Sequence, residues 1–160
     1  MKHIVNIADM KVTDCKDDIL ITYALGSCLG ITVYDPVAQI GGLFHVMLPL
    51  SAINKEKAKK NPFMFVDTGL PLFLDEIYKL GGDKNRLEIK VAGGASRNGY
   101  SENDHFQIGK RNFIMLRKVL WENNLMLQAC EIGGVEARAM ILKMNTGDVE
   151  LKINGTVKTL

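Results

Sequence analysis

Apolar positions in this chain follow two periods, and the switches between them mark the elements. From Asp18 to Leu25, Ile19, Ile21 and Tyr23 alternate with Leu20, Thr22 and Ala24, the period of two that a half-buried strand needs. Residues 3 to 8 carry a shorter strand-like stretch. Ile31-Thr32-Val33-Tyr34 and Leu43-Phe44-His45-Val46 are rich in β-branched and aromatic side chains, with turn punctuation at Asp35-Pro36 and Gly41-Gly42 between them, so the two runs predict a β-hairpin. The polar segment from Ser51 to Asn61 reads as a solvated loop. The period then lengthens: Leu70, Phe73, Leu74 and Ile77 stand at i, i+3, i+4 and i+7, an amphipathic helix stopped by Gly81-Gly82 in the left-handed cap role. Leu87 to Val91 predicts a strand broken at Gly93-Gly94, and Gly109 to Asn123 a helix with Phe113, Leu116, Val119 and Leu120 on one face. Strands return at Leu125 to Ile132, Ala137 to Met144 and Val149 to Ile153, the last two joined by a turn at Asn145-Thr146-Gly147-Asp148.

Strands arriving as hairpins with two substantial helices predict an α+β fold with largely antiparallel or mixed sheets and the helices on one face. With 160 residues, 47% of them hydrophobic and 24% charged, the chain is expected to form one domain over residues 1–160 that buries ~70% of its unfolded surface. The glycine pairs at 93-94 and 133-134 follow strands but belong to neither a dinucleotide fingerprint nor a phosphate-binding loop, so they read as bulges or close backbone approaches.

A net charge of +2 gives nucleic acid no general attraction, and the aromatic residues are not interleaved with basic ones as a single-strand platform requires. The local excess of Lys55, Lys57, Lys59 and Lys60 around Glu56 fits a solvated segment. No basic start precedes an apolar stretch, and no run approaches the ~20 apolar residues of a membrane span; a cytoplasmic protein is expected. Cys15, Cys28 and Cys130 are odd in number and far apart, which supports free thiols rather than a disulfide framework or a zinc site.

Candidate chemistry sits in the hairpin. Cys28 lies in the glycine-flanked turn Gly26-Ser27-Cys28-Leu29-Gly30, and a turn centred near Pro36-Val37 makes residue 45, or one close to it, its cross-strand partner, with Cβ atoms ~5 Å apart. A thiol with an ordinary pKa of ~8.5 is only a few per cent thiolate at neutral pH, so a nucleophilic cysteine needs a neighbouring base. His45 is placed to be one. Thr22 could accept the imidazole N–H and fix its tautomer, and amides of the Gly26-Ser27-Cys28 turn could hold an oxyanion because glycine permits unusual dihedrals. Taken singly, Cys28 and His45 would be core residues and Thr22 a strand residue; their joint placement argues for chemistry. Cys15 is expected on the surface and Cys130 in the core, His3 and His105 have no identified partner, and Met47 and Met64 read as packing residues.

Thr22-Tyr23-Ala24-Leu25-Gly26-Ser27-Cys28, His45-Val46-Met47-Leu48-Pro49, Val91-Ala92-Gly93-Gly94-Ala95, Ile108-Gly109-Lys110-Arg111-Asn112 and Ile132-Gly133-Gly134 through Arg138 occur in this order. Together they resemble the CheD family of chemoreceptor glutamine deamidases, over about residues 4 to 148. The resemblance implies an α/β/β layered sandwich related to the catalytic domain of the cytotoxic necrotizing factor deamidases. It also implies hydrolysis of glutamine side chains to glutamate on methyl-accepting chemotaxis receptors, with Cys28 as nucleophile, His45 as base, Thr22 as orienting member, no cofactor or metal, and the phosphatase CheC as a partner. The residues themselves leave open another cysteine hydrolase, such as a receptor glutamate methylesterase or a transglutaminase-like enzyme, and a non-catalytic signalling adaptor.

Overall fold

Hydrogen-bond demand sorts the strand-forming runs into two five-stranded sheets, because a buried strand must pair its backbone on both sides. The computed structural model describes residues 1–96 and 107–160, so His105 lies outside the described residues. The elements are β1 (Lys2–Ile4), β2 (Asp9–Thr13), β3 (Ile19–Leu25), β4 (Leu29–Asp35), β5 (Ile40–Val46), α1 (Lys55–Lys60), α2 (Val66–Lys79), β6 (Glu88–Gly93), α3 (Ile108–Glu122), β7 (Leu127–Ile132), β8 (Arg138–Lys143), β9 (Val149–Ile153) and β10 (Thr156–Thr159). One sheet has the order β1-β3-β8-β9-β10 and the other β2-β5-β4-β6-β7. The β1–β3 and β6–β7 pairs are parallel and the remaining ladders antiparallel, the mixed α+β arrangement that the hairpins predict.

Alternation along β4 and β5 sets the layers. Leu29, Ile31, Val33, Phe44 and Val46 point toward α2 and α3 and pack with Leu70, Phe73, Ile77, Leu116 and Leu120. The opposite face, with Tyr34 and Leu43, packs against Leu20, Leu25, Met140, Leu142 and Leu151 of the first sheet. Covered on both sides, β4 and β5 are buried at every position, which is why they read as nearly continuous apolar runs.

Several elements depart from the sequence expectation. The strand expected over residues 3 to 8 ends at Ile4 as β1 in the first sheet; the chain then crosses, turning at Ala8 with φ 57°, to β2 in the second sheet, which the sequence pattern did not announce. Val5 N–H donates to Ile21 O at 2.8 Å and Ala8 N–H to His45 O at 2.8 Å, so this crossing segment ties the sheets together along one edge. β10 is exposed throughout, held by its ladder to β9 and by the pairing of Lys158 with Glu131, so no apolar period announces it. The Ser51–Asn61 loop contains α1, whose first turn is capped by Asn54 accepting from Lys57 N–H at 3.1 Å. Cys130, expected in the core, is exposed: it stands on the edge strand β7, and the side chain lines an open groove with Phe113, Trp121 and Met126. His3 has a partner after all, Asp18, at 3.1 Å.

The β4–β5 turn is locked by a buried carboxylate. Asp35 is 0% exposed and accepts from Val37 and Ala38 N–H (both 3.0 Å), from Asp83 N–H (2.8 Å) and from Arg86 Nε and Nη2 (3.0 and 2.9 Å). Burial pushes its pKa upward, but the Arg86 guanidinium and these amides outweigh that and hold it well below the usual carboxylate range. Removing the Arg86 guanidinium leaves the fully buried Asp35 charge without its counter-ion, so Arg86→Ala is expected to cost about 3 kcal/mol of stability. Urea unfolding measures it, and a loss below about 1 kcal/mol, the scale of a surface pair, contradicts this account.

Candidate active site

The Gly26–Cys28 turn is the point where the chain leaves one sheet for the other. Pairing of β3 with β8 runs in register to Thr22↔Met140, slips, and resumes at Leu25↔Arg138. Ala24, in the slip, has φ 57°, a left-handed conformation that a residue with a Cβ adopts only at a cost of order 1–3 kcal/mol. The bulge turns the chain outward. Gly26–Cys28 crosses the gap and β4 begins at Leu29 in the second sheet. Glycine was expected to supply the unusual dihedral at Gly26, but the left-handed residue is Ala24, and Gly26 is absent from the positive-φ glycines. The glycine that the turn needs is Gly93: a Cβ there would lie 2.2 Å from Cys28 O.

Three successive carbonyls of the turn are tied inward. Ala95 N–H donates to Gly26 O at 2.8 Å and Gly94 N–H to Cys28 O at 2.9 Å, while Asn112 Nδ2 of α3 donates to Ser27 O at 3.0 Å and also to Met47 O at 3.1 Å. Behind them stands Arg138, 6% exposed, whose Nη1 donates to Gly93 O at 2.8 Å and whose Nη2 donates to Gly133 O. Glu131 lies 3.5 Å from Arg138 Nε and also pairs with Lys158. The two glycine pairs are thus the frame of the turn, in line with their expected part as close backbone approaches.

His45 is displaced by two residues from the register expected for the hairpin. Its direct partner on β4 is Gly30, and the ladder ends at Leu29↔Val46, because the loop Pro36–Gln39 is centred further along the chain than Pro36-Val37. A shift of two keeps the face: Cys28 packs on the inter-sheet core, the side to which His45 points. The two are diagonal neighbours, about 7–8 Å apart in a regular ladder and within reach of long side chains.

Across the sandwich, Thr22 reaches His45. Its Oγ1 lies 2.7 Å from His45 Nδ1 and 2.7 Å from Val5 O. A hydroxyl has one proton, and a carbonyl can only accept. The proton therefore goes to Val5 O, and Nδ1 must donate to Oγ1. This assigns the Nδ1–H tautomer and leaves Nε2 with a free lone pair. Nε2 is buried and has no hydrogen-bond partner among the described residues.

Burial governs the charge state of both reactive groups. His45 is 3% exposed, and desolvation pushes its pKa down to about 4. The Cys28 thiol is pushed up by burial, with its own amide N–H, lying against the sulfur, pulling the other way. At neutral pH the site holds a neutral thiol and a neutral imidazole, not an ion pair. Thr22, Cys28 and His45, singled out from sequence, share one inter-sheet region. Asn112 donates to the turn itself, Arg138 to the glycine pairs that frame it, and sequence reasoning gave neither a role. Asn112 did leave a signal: it extends the apolar stripe of Leu116, Val119 and Leu120 by one helical turn, where a polar residue needs buried partners.

An α+β domain with a cysteine, a neutral histidine and an orienting threonine gathered between two sheets has the composition of a thiol-dependent acyl-transfer site. The CheD family, described as CheD chemotactic sensory transduction, matches residues 47–153. A protein of Syntrophus aciditrophicus named "Probable chemoreceptor glutamine deamidase CheD 1" is 43% identical over 152 residues, covering 95% of this chain and 94% of that one. Proteins named "Probable chemoreceptor glutamine deamidase CheD" from Solibacter usitatus (41% identical, 98% of this chain and 92% of the other) and Pyrococcus abyssi (41% identical, 85% and 82%) are similar. The chain belongs to the CheD family. No helix among the described residues is long and apolar enough to cross a membrane.

The depressed His45 pKa sets a pH dependence of stability. Between about 4 in the folded chain and about 6.5 unfolded, the unfolded state binds the extra proton. Stability from the neutral buried ring is therefore full above pH ~6.5 and lost as pH falls toward ~4. His45→Gln is expected to flatten this part of the pH–stability curve, as read by denaturant unfolding between those limits; an unchanged slope contradicts a neutral buried imidazole.

Proposed function

We propose that this chain is a chemoreceptor glutamine deamidase that converts selected receptor glutamines to glutamate through a Cys28 thioester. Its substrate class rests on family membership and on the names its relatives carry. The observation that carries the chemistry is the Thr22–His45 hydrogen bond, which leaves Nε2 as a free base on the Cys28 side of the second sheet.

Sγ of Cys28 attacks the carboxamide carbon while its proton passes to His45 Nε2, and the carbonyl oxygen takes up negative charge. Gly26 N–H, expected to help hold that oxyanion, already donates to Ala24 O at 3.0 Å, so the N–H groups of Ser27 and Cys28 are the donors. Collapse expels the nitrogen, which takes the proton from Nε2 and leaves as ammonia. Water then attacks the thioester with Nε2 removing its proton, and cleavage returns the proton to sulfur and frees the glutamate side chain. His45 and water handle every proton, and the cycle as written uses no cofactor. Thr22, being neutral, stabilises the transient imidazolium less than a carboxylate would. This suits a base that must be neutral at rest.

In this reading the layered sandwich is akin to the cytotoxic necrotizing factor deamidase domain, the protein works in the cytoplasm in chemotactic adaptation, and CheC binds it in competition with receptors. The exposed Lys55, Lys57 and Lys59 of α1, beside the exposed Ile53, suit an acidic amphipathic receptor helix.

Incubation with a receptor cytoplasmic fragment is expected to add about one dalton per modified glutamine, measured by mass spectrometry. Cys28→Ala is expected to abolish the gain, and Thr22→Ala to lower kcat about tenfold or more, since the nucleophile and base remain but the tautomer is no longer fixed. Cys15→Ser and Cys130→Ala, both at exposed positions, should keep wild-type turnover. Deamidation by Cys28→Ala would refute the covalent route.

For recognition, kcat/KM is expected to be far higher for the receptor fragment than for free glutamine, and to fall as salt rises. Equal values for the two substrates point instead to a small-molecule amidase.

A further inference from the structure

The β4–β5 ladder stops at Leu29↔Val46; the next facing residues in that register are Cys28 and Met47. There the carboxamide of Asn112 stands between the strands. One Nδ2 hydrogen goes to Ser27 O at 3.0 Å and the other to Met47 O at 3.1 Å. Two carbonyl acceptors fix which end of the amide is nitrogen. Its Oδ1 is buried and has no hydrogen-bond partner among the described residues, in a residue 0% exposed. An unpaired buried carbonyl is a cost that an asparagine kept only for packing would not carry.

The chemistry of one peptide unit gives this contact a consequence. Ser27 C=O and Cys28 N–H are the two ends of the same trans peptide and point in opposite directions. A donor clamped on the carbonyl aims the N–H away from α3, and polarises it as a stronger donor. That N–H belongs to the residue that bears the sulfur, so it stands within a few bonds of any thiol adduct. We infer that Asn112 is a positioning residue for the oxyanion site: by holding the Ser27–Cys28 peptide from behind, it presents the Cys28 N–H to the developing negative charge. The preceding peptide is held by a backbone donor, Ala95 N–H on Gly26 O at 2.8 Å, so Asn112 is the side chain through which this orientation can be altered. The inference rests on the deamidase reading and deepens it.

The test compares Asn112→Asp, which keeps the shape but can donate at most one hydrogen where the amide donates two, and Asn112→Ala with the unaltered protein. Deamidation of a receptor fragment is expected to lose about tenfold or more in kcat, up to the 10²–10³ of an oxyanion donor removed outright, with KM little changed. Alkylation of Cys28 by iodoacetamide, a displacement that forms no oxyanion, is expected to stay within about threefold of wild type. A parallel fall of kcat and alkylation would overturn the inference, since Asn112 would then be placing the thiol. Unchanged kcat in folded variants, or failure of both to fold, would overturn it in favour of a structural part. An amide NMR spectrum separates this from the function reading. The Cys28 N–H resonance is expected to move in Asn112→Asp whether or not the wild-type protein deamidates receptors, and an unmoved resonance sinks the inference alone.

Discussion

The chemistry proposed for this protein depends on one hydrogen bond between two sheets. Thr22 belongs to the sheet of β1, β3 and β8, His45 to the sheet of β2, β4 and β5, and their 2.7 Å contact spans the gap. Thr22 can hold the imidazole in one tautomer only because its own proton is already given to Val5 O. That carbonyl belongs to the segment that crosses from one sheet to the other at the same edge. The base is thus defined by three chain segments that meet only when the sandwich is packed, which couples folding to the readiness of the site.

Burial then sets the chemistry. A histidine shielded from water is held neutral, and a shielded thiol is held protonated, so reactivity is deferred until a substrate carbonyl can receive the sulfur as the proton moves to Nε2. The alternative, a resting thiolate–imidazolium pair, would take two charges out of water, and burial works against the charged form of both His45 and Cys28. The strained Ala24, the orphaned Asn112 Oδ1 and the unpaired Nε2 all lie within the site or its frame, where local free energy is given up to fix geometry.

How much of this was legible in the sequence follows from the range of the forces involved. The helices were, since α2 and α3 are written in a 3.6-residue period, and the hairpin was, since its strands and turn are contiguous. The register differs by two because the turn spans Pro36–Gln39, closed by Val37 and Ala38 N–H on the Asp35 carboxylate and by Gln39 N–H on Asp35 O, rather than tightly at Pro36-Val37. The early end of the first strand and the unannounced β2 depend on pairing with two different sheets, and the exposure of Cys130 on its strand lying at a sheet edge; neither is local. Thr22, Cys28 and His45 could be named because hairpin logic and the family motifs converge on them. Asn112 stood in one of those motifs, but its partners lie 85 and 65 residues away, and nothing local points to them.

The tautomer of His45 tests the central claim most directly. In protein labelled with ¹⁵N in its histidines, the account predicts that His45 at neutral pH is a neutral ring protonated at Nδ1, with an unprotonated Nε2, and that Thr22→Val weakens this preference. A ring protonated at Nε2, or an imidazolium at neutral pH in the substrate-free protein, would contradict it.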